Sequence, residues 1–402
     1  MKHNPYFPRG LAYEREEMEN LINRFFTFAN GLYTMYAAKS NMKDGRKSPQ
    51  ITPSVIFHSL ILMVLFKKRS LLKLDQFMRL DAAKRFLGRS KPQAVAVSDT
   101  TIARSLSTYF LTPLRRYLKS VYIRAIHNGK CKIDICGRKL KAACVDGSMF
   151  GGFYGCVLQS LGEANLLLDI ETTTGKGKEL PTTRTMLERV FHDYGDGFVG
   201  LFLLDALYKD KKTINLILSH QSHVLIKTQE TRLCIIKDAD GLFTHWEDDP
   251  GVEHMEGLDV NRMCQYELWS CGSFQHTGVD KTMKVAHVKE DYIKEDRHED
   301  FWVLCTDESL SGLQLRELGH TRWRIENNGF KQFDEQTNCD HVYTHDAHTF
   351  VALMLMLFIG WNLLLLFSLE DVRKGYEYVK WTLDFLSGLL LMWFYIEYHA
   401  LS

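Results

Sequence analysis

A chain of 402 residues, 45% hydrophobic and 12% aromatic, is long and apolar enough to bury two or three sizeable cores, which excludes an unfolded polypeptide. The net charge of +1 conceals an asymmetry: residues 1–145 hold 27 Lys and Arg against 9 Asp and Glu, a net of +18, whereas the other 257 hold 23 against 40, a net of −17. A basic front of that size calls for a polyanionic partner, nucleic acid before an acidic membrane surface.

Residues 11–128 read as a small all-helical module, with FANGLYTMYA, VIFHSLILMVLF, FMRLDAAKRFL and LRRYLKSVYIRAI as apolar faces broken by basic residues. Ser98-Asp99-Thr100-Thr101 is a capping sequence ahead of IARSLSTYFL. From about 139 the period changes. KAACV, FYGCVLQSL and ANLLLDIETTT read as three strands, LPTTRTMLERVFHDY as a helix, GLFLLD as a strand, KKTINLILSH as a helix and HVLIKT as a strand. That alternation predicts a mixed sheet covered by helices. Residues 231–305 read as a beta-rich insertion of short strands (LCIIKDADGLFTHW, MCQYELWSC, MKVAHVKE, FWVLCTD), and the helical pattern resumes at about 311, with a break near 338–346.

Two late stretches, 351–367 and 385–396, are apolar enough to suggest membrane helices, but they are at or below spanning length and the first contains Asn362. They are expected to be buried core helices, with no membrane partner. Nine scattered cysteines without a C-x-x-C pair read as free thiols of a reducing cytosol. The first twenty residues lack the apolar core of a signal peptide, so a cytoplasmic location is expected.

Asp146 follows the apolar run Ala142-Ala143-Cys144-Val145, and Asp205 follows Leu201-Phe202-Leu203-Leu204. A carboxylate just beyond the end of a buried strand is where sheet-based sites place ligands. Each alone is more simply a turn or capping residue; two of them, followed by the helix TRWRIENNGFKQF at 321–333 with Glu326, suggest a constellation. Three carboxylates make a hard, oxygen-rich site suited to Mg2+ or Mn2+. Two such ions perform phosphodiester hydrolysis or transfer. Asp169, inside a strand-like run, is a rival ligand. Cys339, His341 and His345 offer too few ligands for a structural zinc site, and GKGKEL at 175–180 lacks phosphate-loop spacing and reads as a mobile basic loop.

Strand-end Asp146, strand-end Asp205, a beta-rich insertion and then R-W-x-I-E on a helix resemble the DDE transposases of bacterial insertion sequences. The closest branch has a ribonuclease-H-like core and a Tyr-Arg-Glu-Lys signature. The resemblance spans roughly 139–370, and RWRIENNGF is its most specific part. It implies an α/β fold, a ribonuclease-H-like mixed sheet with flanking helices, a beta-rich insertion and an all-helical N-terminal domain. It implies Asp146, Asp205 and Glu326 as the catalytic, metal-binding triad for two Mg2+ or Mn2+ ions, and Arg322 as the signature arginine. The signature tyrosine would fall at Gly319 and the lysine at Phe333, so the chain departs there, with His320 and Lys331 nearby.

The segmentation that follows is a basic DNA-binding domain at 1–130, a first core part at 131–230, the insertion at 231–305, and a second core part with the Glu326 helix at 306–402. Double-stranded DNA, as transposon ends and target, is the expected partner, bound by a homodimer. Arg322, Trp323, Arg324, Asn327 and Lys331 are the expected DNA contacts. For Trp323 stacking on a base and packing in a core are both open, and for Asn327 and Asn328 a phosphate contact and a solvated face are. Gly329, one turn after Glu326, would let the helix approach the sheet closely. The expected activity is metal-dependent cleavage of transposon ends followed by strand transfer. A non-catalytic, domesticated relative and a nuclease without strand transfer are the rivals.

Overall fold

The computed structural model describes residues 21–88, 96–173, 175, 177–325, 331–373 and 381–399. The chain divides into two compact units, Met1–Arg124 with Phe333–Ser402, and Ala125–Gln332. The four expected segments do not coincide with these units, because the helices after residue 333 group with the N-terminal ones.

The N-terminal helices are α1 (Leu21–Gly31), α2 (Met35–Ser40), α3 (Pro53–Leu65), α4 (Leu71–Met78), α5 (Asp81–Phe86), α6 (Asp99–Leu106) and α7 (Leu111–His127). Pro53 starts α3 after an extended Thr52, a position where its missing N–H costs nothing. The α3 side chains from Ile56 to Leu65 are all buried, as an all-round apolar helix requires. Ser98 caps α6 as predicted, accepting from the Thr101 backbone N–H at 3.2 Å.

In the second unit a short hairpin, β1 (Ile133–Ile135) and β2 (Arg138–Leu140), precedes the main sheet. The sheet begins with the antiparallel strands β3 (Ala142–Phe150), β4 (Phe153–Leu161) and β5 (Leu167–Thr173). Gly151 and Gly152, at φ 51° and 86°, form the two-residue turn between the first two, which needs positive φ at both places. Then come α8 (Glu179–Tyr194), β6 (Leu201–Leu204), α9 (Lys211–Ser219) and β7 (His223–Thr228), with β6 parallel to both β3 and β7. The order β5-β4-β3-β6-β7 is the ribonuclease-H-like arrangement expected.

The insertion contains α10 (Cys234–Phe243) and β8 (Glu253–Asp259), β9 (Cys264–Phe274), β10 (Met283–Tyr292) and β11 (Arg297–Cys305). Its strands extend the same sheet, with β11 antiparallel to β7, giving nine strands in the order β5-β4-β3-β6-β7-β11-β10-β9-β8. The strand expected in LCIIKDADGLFTHW is instead α10. Ile235, Ile236, Ala239 and Phe243 are its buried residues, a helical rather than an alternating spacing. The four insertion strands are matched by one residue each in a continuous row, His254, Trp269, His287 and Trp302, in mutual register. Their ring centroids are 5.3, 5.5 and 3.9 Å apart in succession, the cross-strand contact that sets register in an antiparallel sheet.

Helix α11 (Gly312–Ile325) covers the opposite face. Its Leu315 and Leu318 share a buried cluster with Ala142, Cys144, Leu201, Leu203, Leu225, Phe301 and Val303. A polar network fixes its seat. Arg316, 1% exposed, donates from Nε to Glu290 Oε1 at 2.6 Å and from its other nitrogens to Asp259 at 3.2 Å and Glu317 at 2.9 Å. His320 Nε2 lies 2.8 Å from the same Glu290 oxygen, and Tyr292 donates to the other at 2.9 Å. Arg262 bridges Asp259 and Glu317 at 2.6 Å each.

The C-terminal helices are α12 (Lys331–Thr337), α13 (Ala347–Phe367) and α14 (Leu383–His399). Helix α13, with its continuation to Val372, is long and apolar enough to cross a membrane, but 94% of its apolar window is buried within the protein. It is a core helix, as expected, and α3 packs against it. Phe333, where the resemblance would place lysine, is fully buried with its ring 5.3 Å from Phe358 and 5.9 Å from Trp361.

Two stability measurements test this packing. A Cβ at Gly360 would lie 2.9 Å from Val64 Cγ2, so Gly360→Ala should lower the denaturant midpoint, by about 1–3 kcal/mol of stability. Burial pushes the Glu290 carboxyl up, but His320 and Arg316 outweigh it and bring it down to about 2. A carboxylate depressed below its unfolded value of 4.5 contributes stability above pH 4.5 that is lost as pH falls toward 2. Stability from denaturant titrations should therefore drop by about 3 kcal/mol over that window. Glu290→Gln should flatten this loss and destabilise the protein at neutral pH, by about 1–3 kcal/mol, because buried Arg316 and His320 lose one charged partner while Arg316 keeps Asp259 and Glu317.

Candidate active site on the face beneath the covering helix

Side chains along a strand alternate between faces. Ala142 and Cys144 of β3 and Leu201 and Leu203 of β6 belong to the cluster under α11, so Asp146 and Asp205, with the same parity, face that side too. The two strands pair in parallel with Cys144 opposite Leu203. Continuing that register by two residues sets Asp146 opposite Asp205, on strands about 4.8 Å apart. Asp146 is not at the end of its strand, as expected from sequence, but fifth of nine residues. The strand runs on because β4 pairs with it as far as Phe150. It is β6 that stops, at Leu204, which leaves Asp146 flanked by the open end of its neighbour.

Asp205 caps a 3-10 turn, Ala206–Tyr208, accepting from the Leu207 backbone N–H at 2.8 Å. That bond orients the carboxylate. The turn is tied down in turn by Tyr208, whose hydroxyl donates to Glu179 Oε1 at 2.7 Å, while Tyr154 donates to Glu179 Oε2 at 2.5 Å. Burial first, then the contact with Glu179, raises both phenols, so they stay protonated and serve as donors. Glu179 also packs on Gly147, where a Cβ would lie 2.6 Å from the carboxyl carbon. A single buried acid thus braces the residue after Asp146 and the turn after Asp205. The GKGKEL stretch, which reads as a basic loop in the sequence, thus ends in a structural acid, because Glu179 opens α8. A carboxylate within the first turn of an amphipathic helix was the available signal.

Asp169, the rival ligand, lies on the other face. It pairs with Leu158 in β4 and is held by Arg189 of α8, with Nε and a terminal nitrogen at 3.1 and 2.9 Å. It is a buried ion pair rather than a partner of Asp146.

A cavity of about 630 Å³ opens beside Asp205, lined also by Lys227, Thr228, Tyr292, Arg297, Glu299 and His320. Arg297 binds Glu299, and Lys227 Nζ lies 3.9 Å from the same carboxylate. Apart from His320, these residues carry no local signal in the sequence, since they come from three strands and a helix far apart in the chain.

Glu326, Asn327, Asn328 and Gly329 lie outside the described residues. Arg322, Trp323 and Arg324 are carried on the last turn of α11, and their side chains also lie outside the description. Lys331 is exposed at the start of α12. Gly319 faces the sheet, where a Cβ would meet Phe301 at 3.3 Å and Val303 at 3.4 Å. Position 319 is therefore a helix-to-sheet packing position. Cys339 is a buried thiol that donates to Asp334 at 3.2 Å and is raised by burial, then by Asp334, so it stays neutral.

Among the described residues, three acid-containing groups have ligand atoms close enough for one ion: His254 with Glu256 and Glu267, Glu290 with Glu299 and His320, and Asp334 with Cys339 and Asp340. In the second, Glu290 is already engaged by Arg316. The chemistry of the Asp146 and Asp205 pair, two carboxylates side by side on rigid backbone, fits a hard divalent cation that takes oxygen ligands.

No match is found among curated proteins. One solved structure similar to this chain is the piggyBac transposase synaptic complex with hairpin DNA, at 10% identity, with 98% of this chain and 83% of that one covered and a TM-score of 0.39. Residues 120–363 match the transposase DDE domain family. These residues are more than half of the chain and contain both aspartates, the inserted strands and α11, and the chain belongs to that family of transposases.

Proposed function

We propose that this chain cleaves the ends of a transposable DNA element and joins them to target DNA, using Asp146, Asp205 and Glu326 as the catalytic triad. The observation that carries the reading is the β3–β6 register, which aligns the two aspartates on the face covered by α11. Glu326 follows the last described residue of that helix directly. In sequence it is seven positions after Gly319.

Two Mg2+ or Mn2+ ions would be held by these three residues, and when bound they supply Lewis-acid stabilisation of the charge that develops at phosphorus. The protein's own contribution is positional. Asp146 sits on a strand paired to β4 beyond the carboxylate, and Asp205 is oriented by the Leu207 N–H. A water molecule attacks in line, one P–O bond forms as another breaks, and a 3′-hydroxyl is released. That hydroxyl then attacks a target phosphodiester in the same way.

Arg322, Trp323, Arg324, Asn327 and Lys331 are proposed to contact the DNA, and the basic helices of the first 130 residues to grip it, in a homodimer acting in the cytoplasm. Each phosphate neutralised by such contacts steepens the salt dependence of binding.

Asp146→Ala, Asp205→Ala and Glu326→Ala should each abolish Mg2+-dependent cleavage of duplexes carrying the DNA that brackets the gene, with melting temperature and duplex binding nearly unchanged. Cleavage by Asp205→Ala at close to the wild-type rate in Mn2+ would refute the assignment of the triad. Binding without cleavage by the wild-type protein would instead mark a non-catalytic relative, and cleavage without joining a nuclease.

A further inference from the structure

Asp146, Asp205 and Lys227 form one row across three adjacent parallel strands. Leu204 of β6 is opposite Ile226 of β7, so the next step of that register sets Asp205 opposite Lys227. Lys227 shares its parity with Leu225, a member of the cluster under α11, and it therefore faces the same side as the two aspartates. Asp205 and Lys227 both line the 630 Å³ cavity, whose volume lies in the range of about 300–1,000 Å³ usual for bound small groups.

A lysine at this place needs room for its stem, and Gly319 leaves that room. A Cβ on Gly319 would stand 3.8 Å from Lys227 Cδ and 3.3 Å from the Phe301 ring. Any longer side chain directed that way would collide with the ring or displace the lysine. The stem thus passes beside Gly319 of α11, and the ammonium lies 3.8 Å from the Phe301 ring centroid. Beyond it, Lys227 and Arg297 share the carboxylate of Glu299, which places two cations against one acid on the wall facing Asp205.

Resting on the transposase reading above, we propose that Lys227 binds a backbone phosphate of the DNA strand, holding it in the cavity beside the aspartates. An ammonium suits this task as a compact point charge with rotatable donors. Its ammonium already rests on the Phe301 ring at the cavity wall, where a phosphate can reach it. The strand so held runs along the row toward Asp205 and Asp146.

The test is equilibrium binding of the full-length protein to a duplex carrying the DNA that brackets the gene, in EDTA, across a salt series. Lys227→Met keeps the apolar stem and removes only the charge. It should weaken binding and make the log–log salt slope shallower by about 0.9, the contribution of one phosphate, with the melting temperature preserved. Lys227→Arg should restore the wild-type slope. Should the methionine variant unfold, Lys227→Gln supplies the same comparison with a polar end. An unchanged slope in a folded, uncharged variant would overturn the proposal while leaving the transposase reading intact. Failure of the wild-type protein to bind any duplex would overturn both, and cleavage by the wild type with unaltered Lys227→Met binding would overturn only the role of Lys227.

Discussion

Register between β3, β6 and β7 is the constraint on which the site depends. A slip of one residue in any of these strands would turn its functional side chain to the opposite face, because the side-chain period is two. Here the register is held from both sides of the sheet. On one side Cys144, Leu203 and Leu225 are buried in one cluster under α11. On the other, Cys156 and Glu179 pack where β4 and β3 meet the start of α8. The shortness of β6, four residues against nine in β3, then opens space at the level of the aspartates without loosening the strands that carry them.

The covering helix is placed by a different kind of interaction. Arg316 and Glu290 are buried charges, with half-buried Asp259 beside them, whose attraction must offset a large desolvation cost, so they are weak evidence of stability. Their geometric demand is strict, since one guanidinium must meet carboxylates from β8, β10 and its own helix together. This sets the rotation and height of α11, while Gly319 allows the close approach to β11. The insertion therefore serves the site by supplying the acids that seat the helix, as well as by widening the sheet.

The helical unit shows the contrasting case of a core built mainly by apolar packing. Helix α13 is apolar around its whole circumference, and Gly360 lets α3 reach it at Val64. Phe333 joins the same core. Position 333, where the resemblance would place a lysine, is thus a packing position, and Lys331, two residues earlier, is exposed.

Much of this was legible in the amino-acid sequence, and for local reasons. The apolar runs at 142–145, 153–161 and 201–204, the helical spacing of 180–194, and the cap at Ser98 are short-range signals, and each produced the expected element. The aspartates could be picked out because a carboxylate directly after an apolar run is unusual. Where two local signals compete, tertiary packing decides. Ile235, Ile236 and Phe243 suit a strand by propensity, but their burial follows a helix. The polar strand Glu253–Asp259 has no apolar face to announce it. What only the tertiary structure decided is which strands lie side by side. Pairing between β3 and β6, or between β7 and β11, joins residues far apart in the chain through backbone hydrogen bonds that every sequence can make. For that reason the alignment of Asp146 with Asp205, the exclusion of Asp169 to the opposite face and the row ending in Lys227 had no signature in the sequence alone.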